Sequence, residues 1–168
     1  MRLARLENIF RTLNEANVRY IVVGGLAVIA HGFVRVTNDI DLVLAFDPTN
    51  LAAGIRALQG IGLVPRIPVT AEVFADPAQR ERWATEKNMI VFQLSFLERD
   101  DAPVDIFILP PFDFDVEYRR ALRDEVAPNV SVPFVHLDRL IAMKEAVGRP
   151  QDLEDVRRLR ILSKGAGP

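Results

Sequence analysis

Two short stretches decide the fold of this 168-residue chain: residues 20–25 read Tyr-Ile-Val-Val-Gly-Gly, and residues 39–42 read Asp-Ile-Asp-Leu. The first is an apolar, β-rich run ending in two glycines, a pattern typical of a buried strand followed by a turn. The second opens another apolar run, residues 40–46, which predicts a second strand. Residues 26–30 are apolar and compact, which favours a short helix between the two strands. The order of these parts predicts the centre of an α+β domain.

Asp39 and Asp41 are spaced to act together. Side chains two positions apart on a strand point to the same face, with Cα atoms roughly 7 Å apart. Two carboxylates placed in this way can share divalent cations, which lie about 3.5–4 Å apart in two-metal sites. Gly24 and Gly25 before a helix let backbone N–H groups approach a phosphate, and a helix N-terminus favours the anion. The pattern predicts a phosphate-binding turn beside a metal site.

A third carboxylate, Asp105, interrupts the apolar run at residues 104–109. Alternation along a strand would place Asp105 on the face opposite Val104 and Ile106. An ionised carboxylate in an apolar strand is costly unless it is paired or bound to metal. We therefore expect Asp105 to complete a three-acid site and to serve as a base toward an acceptor hydroxyl.

Hydrophobic periodicity predicts the remaining elements of one α+β domain over residues 1–162, which ends in a C-terminal helical pair. The predicted helices are residues 2–16, the segment from the Asp47-Pro48 cap to Gly60, and residues 78–87, 115–123, 137–147 and 152–162. The predicted strands are residues 89–96 and 104–109, with a short edge strand at 130–135 because Pro133 lacks a backbone donor. Residues 163–168 are predicted to form a flexible tail.

Composition narrows the available chemistry. The net charge is −2, the chain has no cysteine and only two histidines, and 49% of its residues are hydrophobic. Disulfides and thiolate metal sites are therefore excluded, and a histidine-rich zinc site is not expected. A hard cation held by carboxylates is the metal chemistry that remains. No apolar run reaches the ~18 residues of a membrane helix, and the N-terminus lacks a signal-peptide pattern, so we expect a cytoplasmic protein without a membrane partner.

The stretch Val22-Val23-Gly24-Gly25, thirteen intervening residues and Asp39-Ile40-Asp41-Leu42, with Asp105 on a later strand, resembles the signature of the DNA polymerase β-like nucleotidyltransferase superfamily. Further motifs are similar to those of AbiEii/MenT-type toxin nucleotidyltransferases. These motifs are Arg35-x-Thr37 before the acids, and Lys144-x4-Arg149 followed by Asp152 and Asp155. The resemblance spans residues 20–44, 104–106 and about 137–160. It implies a nucleotidyltransferase fold, in which a small mixed β-sheet is flanked by helices.

The resemblance also implies a function. It makes Asp39, Asp41 and Asp105 the catalytic acids and the ligands of Mg²⁺ or Mn²⁺. A nucleoside triphosphate would supply the nucleotidyl group, and an unidentified acceptor, tRNA or protein in a toxin–antitoxin setting, would receive it. An antitoxin partner is implied in the same way. The residues implied to bind nucleotide are Gly24, Gly25, Arg35, Thr37, Lys144 and Arg149.

Several of these positions have a structural alternative. Lys144 falls on the apolar stripe of its helix, where a lysine either extends its charged end to the surface or is directed into an acidic cleft. Arg149 is also explained as a helix cap, and Asp152 and Asp155 as acids that complement a helix dipole. His31 is expected to pack or cap near a helix end, and Trp83 to anchor local packing. Asp113-x-Asp115 is expected to be a loop and helix cap.

Two other functions remain open at the level of sequence. The chain could bind nucleotide, or regulate a partner, without catalysis. It could also be an aspartate-dependent phosphatase or phosphotransferase, although such an enzyme has no need of Gly24-Gly25. Transfer from a labelled nucleotide separates these from an active nucleotidyltransferase.

Overall fold

The computed structural model describes residues 3–97 and 102–165, in which seven strands form one sheet. The strands are β1 (Tyr20–Val22), β2 (Ile40–Leu44), β3 (Leu63–Pro65), β4 (Val91–Phe96), β5 (Val104–Phe107), β6 (Leu122–Ala127) and β7 (Val130–Phe134). The helices of the described residues are α1 (Leu3–Glu15), α2 (Gly24–Ala30), α3 (Pro48–Gly60), α4 (Ala71–Ala75), α5 (Pro77–Lys87), α6 (Phe114–Arg120), α7 (Leu137–Val147) and α8 (Pro150–Gly165).

The sheet is mixed, with the strand order β3-β4-β5-β2-β1-β7-β6. β2 runs parallel to β5, and β1 runs antiparallel to β2. The end of β1 and the beginnings of β2 and β5 therefore meet at one edge of the sheet. β7 runs parallel to β1 and ends at the same edge, where the chain continues toward α7. The residues that the sequence singles out lie where these strand ends meet.

The two faces of the β4 strand have different surroundings. Phe92 is fully buried, stacks on Trp83 of α5 with ring centroids 6.1 Å apart, and lies 4.7 Å from Phe74 of α4. Trp83 is thus the packing anchor that its sequence context predicts. Successive strand residues point to opposite faces, so Gln93 points away from this aromatic cluster. α4 and α5 therefore cover one face of the sheet at β4, and the polar site lies on the other.

Local signals in the sequence correctly place two helix ends, the start of α3 and the end of α7. Asp47 caps α3 by accepting a hydrogen bond from the Asn50 N–H at 2.8 Å, and Pro48 occupies the first helical position. α7 ends at Gly148, whose φ of +67° is the left-handed conformation that favours glycine. This turn separates α7 from α8 and gives the predicted C-terminal helical pair.

Two predicted elements at the β6 side of the sheet were wrong. The helix predicted over residues 115–123 ends at Arg120, because residues 122–127 pair with β7 as strand β6. β6 is the edge strand, so β7 lies inside the sheet rather than at its edge. The Val135 N–H donates to the Val22 carbonyl, and by alternation the Pro133 nitrogen faces the same side. β1 and β7 pair at Val22 and Phe134, on the C-terminal side of that proline. The proline therefore shortens the hydrogen-bonded ladder between these two strands, and β7 still lies inside the sheet.

Other differences concern segments with weak signals. α4 lies in the stretch that the sequence left unassigned, where the Thr70 hydroxyl caps it by accepting from the Val73 N–H. α8 is longer than predicted and includes residues 163–165 of the expected tail, whereas residues 166–168 lie outside the described part of the chain. The single-domain organisation stays a prediction. Among the described residues, no helix combines the length and apolar character that a membrane crossing requires.

Candidate active site

Three carboxylates converge where β2 and β5 begin. Asp41 lies on β2 directly opposite Asp105 of the parallel strand β5, and Asp39 immediately precedes β2. One carboxylate oxygen from each of the three residues lies within 4.8 Å of the others, and all three residues are half-buried. The sequence thus correctly placed these acids together on one face. Such a spacing suits oxygen ligands around a divalent cation.

Gly24 is required by its close approach to the acids. It follows β1 with a φ of +62°, and a Cβ at this position would lie only 1.9 Å from Asp41 Oδ2. Any side chain here would collide with the half-buried carboxylate of Asp41 and also strain the backbone. The Val23 N–H donates to the Asp41 carbonyl at 3.0 Å, which fixes the turn against β2. The glycine turn and the acids are therefore parts of one site.

The loop between α2 and β2 brings Thr37 and Arg35 to the same place. A Cβ on Gly25 would lie 2.2 Å from Thr37 Oγ1 and 2.9 Å from Arg35 Nη2. The Thr37 hydroxyl donates to Asp39 Oδ1 at 3.1 Å, so Thr37 orients one of the three acids. Gly25 is needed because the loop packs directly over it. Residues 24, 25, 35, 37 and 39 are thereby assembled as one layer.

Two contacting residues, Gln93 and Arg66, were missed by the sequence analysis. Gln93 lies on β4 opposite Asp105, and its amide donates to Asp105 Oδ1 at 2.8 Å. Arg66 follows β3 and donates from Nη1 to Gln93 Oε1 at 3.0 Å. Neither belongs to a recognisable motif. The one signal available was a glutamine in an apolar strand, two positions before a second polar residue, Ser95.

Burial and the repulsion of neighbouring carboxylates disfavour the charged forms of Asp41 and Asp105. Burial, reinforced by Asp39 and Asp105, raises the pKa of Asp41 to about 6, although Lys144 and Arg149 act in the opposite direction. Burial also raises the pKa of Asp105 above its ordinary value, while the hydrogen bond from Gln93 and the charge of Arg66 act to lower it. No described cation lies at ion-pair distance from any of the three acids. A divalent cation would supply the missing positive charge.

Lys144 and Arg149 lie in a separate charged cluster formed by α7 and α8. Lys144 is 6% exposed, and its Nζ lies 3.0 Å from Asp152 Oδ1 and 2.7 Å from Asp155 Oδ2. Arg149 pairs with Asp152 at 2.8 Å, and Arg35 Nε lies 3.1 Å from Asp155 Oδ1. Asp152 lies in the first turn of α8, where an acid complements the helix dipole, and both Asp152 and Asp155 are also buried partners of these cations.

The remaining polar positions have structural roles. His31 ends α2, and its Nε2 lies 2.8 Å from the Val135 carbonyl oxygen. Asp113 caps α6 by accepting from the Val116 N–H at 3.0 Å, and Asp115 pairs with Arg19. These contacts agree with the capping roles predicted for His31 and Asp113.

No protein-family model matches the chain, and no curated protein matches its sequence. Solved structures do resemble it. The lincosamide antibiotic adenylyltransferase LnuA, in a lincomycin-bound crystal structure, is 15% identical with a TM-score of 0.55 over 89% of this chain and 90% of its own. ANT(2")-Ia, in complex with adenylyl-2"-tobramycin, is 14% identical with a TM-score of 0.56, over 97% of this chain and 95% of its own. An antigenic nucleotidyltransferase-like protein from Paracoccidioides brasiliensis is 14% identical with a TM-score of 0.54, over 99% of this chain and 77% of its own.

These likenesses extend over nearly the whole chain and show that it has a nucleotidyltransferase fold. The predicted fold class, α+β with a mixed sheet flanked by helices, is confirmed. Identities this low show the fold and leave the chemistry to be argued from the site.

Proposed function

We propose that this protein is a metal-dependent nucleotidyltransferase, which transfers a nucleoside monophosphate from a nucleoside triphosphate to a hydroxyl acceptor. The observation that carries the proposal is the convergence of Asp39, Asp41 and Asp105 beside Gly24, in which a Cβ would touch the Asp41 carboxylate. A purely structural acid cluster would be expected to have a protein cation in contact with it. The cluster also lies in a fold shared with adenylyltransferases.

The residues present suit Mg²⁺ or Mn²⁺. The three acids offer only oxygen ligands, which these cations prefer, and they repel one another when no cation is bound. Asp39, Asp41 and Asp105 would hold the metal, with Thr37 and Gln93 orienting two of them. When bound, the metal neutralises charge on the phosphate oxygens of the reacting nucleotide.

A residue of this chain takes the proton that the acceptor hydroxyl loses in the proposed reaction. The acceptor oxygen forms a bond to the α-phosphorus, the bond from that phosphorus to the oxygen bridging to the β-phosphate breaks, and pyrophosphate leaves. Asp105 accepts the acceptor's hydroxyl proton, and Gln93 holds Oδ1 so that Oδ2 is available. In the metal-free protein, burial raises the pKa of Asp105 above its ordinary value.

The nucleotide side is assigned to the glycine turn and its neighbours. Gly24 and Gly25 present backbone without side chains next to the acids, which leaves room for phosphate oxygens. Arg35 lies over Gly25, held between Asp155 and the loop backbone. Lys144 and Arg149 act on the site electrostatically, since both lower the pKa of Asp41. We propose that these cations complement the triphosphate.

The finer predictions remain proposals. They include the toxin-type resemblance, tRNA or protein as acceptor, an antitoxin partner and a cytoplasmic location. The antibiotic-modifying names of two similar structures add a further acceptor class, small hydroxylated antibiotics such as lincomycin and tobramycin.

The test is transfer of label from each of the four α-³²P nucleoside triphosphates with Mg²⁺ or Mn²⁺, to RNA, protein and small-molecule acceptors. We expect metal-dependent labelling that EDTA and Asp41→Ala abolish. Asp113→Asn is the matched control, because it alters a carboxylate that caps α6, and asparagine caps a helix equally well. Absence of transfer to every acceptor class, with wild-type protein shown to be folded, would contradict the proposal.

A further inference from the structure

The site residues follow a linear order across the sheet. On the face that carries the acids, Gly24 follows β1, Asp41 is on β2, Asp105 is on β5, Gln93 is on β4 and Arg66 follows β3. The glycine turn lies at one end of this row, and Arg66 lies at the other. If the triphosphate occupies the Gly24 end, the acceptor approaches Asp105 from the Arg66 end. This step rests on the proposed function.

Arg66 is anchored in place and forms no ion pair with a described carboxylate. Its backbone N–H donates to the Gln93 carbonyl at 2.9 Å, and its Nη1 donates to Gln93 Oε1 at 3.0 Å. The residue is exposed, and no described carboxylate lies at ion-pair distance from it. Gln93 links it to Asp105 through a second hydrogen bond of 2.8 Å. A cation is thereby positioned two hydrogen bonds from the proposed base.

The free donors of Arg66 have the geometry that phosphate requires. With Nη1 engaged by Gln93, the Nη2 and Nε donors remain, and adjacent guanidinium donors form a planar fork that binds phosphate oxygens in pairs. An acceptor that carried a phosphate would otherwise be repelled by Asp39, Asp41 and Asp105. Arg66 offsets that repulsion on the acceptor side alone, whereas it would oppose a polycationic acceptor.

We propose that Arg66 is a specificity-determining residue for the acceptor, and that the acceptor is a hydroxyl compound bearing a phosphate ester. Gln93 has a double role in this arrangement, since its carbonyl orients Arg66 and its amide orients Asp105. The acceptor's phosphate is thereby placed beside the group that takes its hydroxyl proton. A small phosphate monoester and the 3′ end of an RNA strand present this same chemistry.

The experiment uses full-length protein saturated with Mg²⁺ and a mixture of α,β-methylene nucleoside triphosphates, which occupy the nucleotide side. Binding of glycerol 3-phosphate, glycerol and tobramycin is measured by NMR titration, with the side-chain signals of Arg66 and Gln93 as local reporters. We expect glycerol 3-phosphate to bind about tenfold or more tightly than glycerol, with the largest shifts at those two side chains. Tobramycin is expected to bind more weakly than glycerol 3-phosphate.

Variants separate the guanidinium from general effects. Arg66→Ala is expected to reduce the ratio of glycerol 3-phosphate to glycerol affinity by about tenfold, and Arg66→Lys to retain part of it. Arg82→Ala is the matched control, because Arg82 is also an exposed arginine bonded to a glutamine side chain, on α5 at the other face of the sheet. A short RNA with a 3′-hydroxyl, tested in the same way, distinguishes the RNA source from the monoester source.

Equal affinity for glycerol and glycerol 3-phosphate, a preference that survives Arg66→Ala, or stronger binding of tobramycin would each overturn the assignment of Arg66. Failure of the proposed function gives a different result. In that case no acceptor receives the nucleotide label. The preference for glycerol 3-phosphate and its dependence on Arg66 can still be measured, because the NMR titration does not require turnover.

Discussion

The protein contains two clusters of charge that differ in how they are balanced. Asp39, Asp41 and Asp105 form a half-buried group of like charges without a cation at ion-pair distance among the described residues. The α7–α8 cluster instead pairs the buried Lys144 with two buried carboxylates. Balanced buried charges hold elements together, whereas an unbalanced group costs stability unless a ligand completes it. On this difference we propose the acids as the site of chemistry and the Lys144 cluster as its support.

Arg35 links the two clusters by direct contact, and the charges of Lys144 and Arg149 link them electrostatically. Arg35 pairs with the buried Asp155 and extends over Gly25 in the active-site turn. Lys144 and Arg149 lower the pKa of Asp41 from outside contact distance. Disrupting the support should therefore affect stability first, and disrupting the acids should affect chemistry first.

The largest expected effect is that of Asp105→Asn on turnover. Removing the proposed base should lower kcat by about a thousandfold, with a much smaller change in KM for the nucleotide, because Gly24 and Asp41 remain. Steady-state label transfer measures both constants, with Asp113→Asn as the control. An unchanged kcat would show that Asp105 does not accept the proton.

Lys144→Met should cause the largest loss of stability. It leaves Asp152 and Asp155 buried without their shared cation, and breaking a buried pair in this way costs about 3 kcal/mol or more. Urea unfolding followed by circular dichroism gives the free energy of unfolding. Lys87→Met, at an exposed lysine of α5, is the control and should change it little. A Lys144 variant as stable as wild type would contradict the structural role.

Asp41→Asn should stabilise the metal-free protein in a pH-dependent way. The pKa of Asp41 is raised to about 6 in the folded state from an ordinary value of 3.8, so folding opposes ionisation. The cost is fully present above about pH 6, declines as the pH falls toward 4, and is absent below that, where the carboxyl is neutral in both states. The variant should gain about 3 kcal/mol at pH 8 and almost nothing at pH 3.5. An equal gain in the free energy of unfolding at both pH values would contradict this explanation.

Gln93→Leu should have the smallest of these effects. It replaces the glutamine by an apolar side chain of similar size and so removes the hydrogen bond to Asp105. The affinity for Mn²⁺ should therefore fall by about tenfold. Electron paramagnetic resonance of free Mn²⁺ measures the change. Gln79→Leu, whose amide oxygen accepts from the exposed Arg82 on α5, is the matched control. Equal affinities would show that Gln93 does not orient the acid.

The sequence predicted the parts of the site that depend on local spacing. Asp39 and Asp41 share a face because alternation along a strand is fixed. Asp105 joins them through the pairing of β5 with β2, which the sequence indicated only by an acid in an apolar strand and by the family resemblance. Gly24 could be assigned to a turn, but its contact with Asp41 Oδ2 required coordinates. The α3 cap at Asp47 was equally local and was predicted correctly.

Long-range pairing was beyond the sequence. Arg66 and Gln93 meet only because β3 and β4 are antiparallel neighbours, and nothing near Arg66 marks it as a site residue. The same limit explains β6, whose charged residues become a strand because β7 pairs with them. The ion pair between Lys144 and Asp155 depends on how α7 packs on α8. Helical periodicity could therefore show that Lys144 lies on the apolar stripe of α7, but it could not show which residue Lys144 contacts.

The most direct test of the account is anomalous diffraction from crystals of the protein with Mn²⁺ and an α,β-methylene nucleoside triphosphate. The account predicts Mn²⁺ peaks within about 2–2.3 Å of carboxylate oxygens of Asp39, Asp41 and Asp105, with phosphates beside Gly24. Manganese and nucleotide bound elsewhere, with no peak among the three acids under the same conditions, would contradict it.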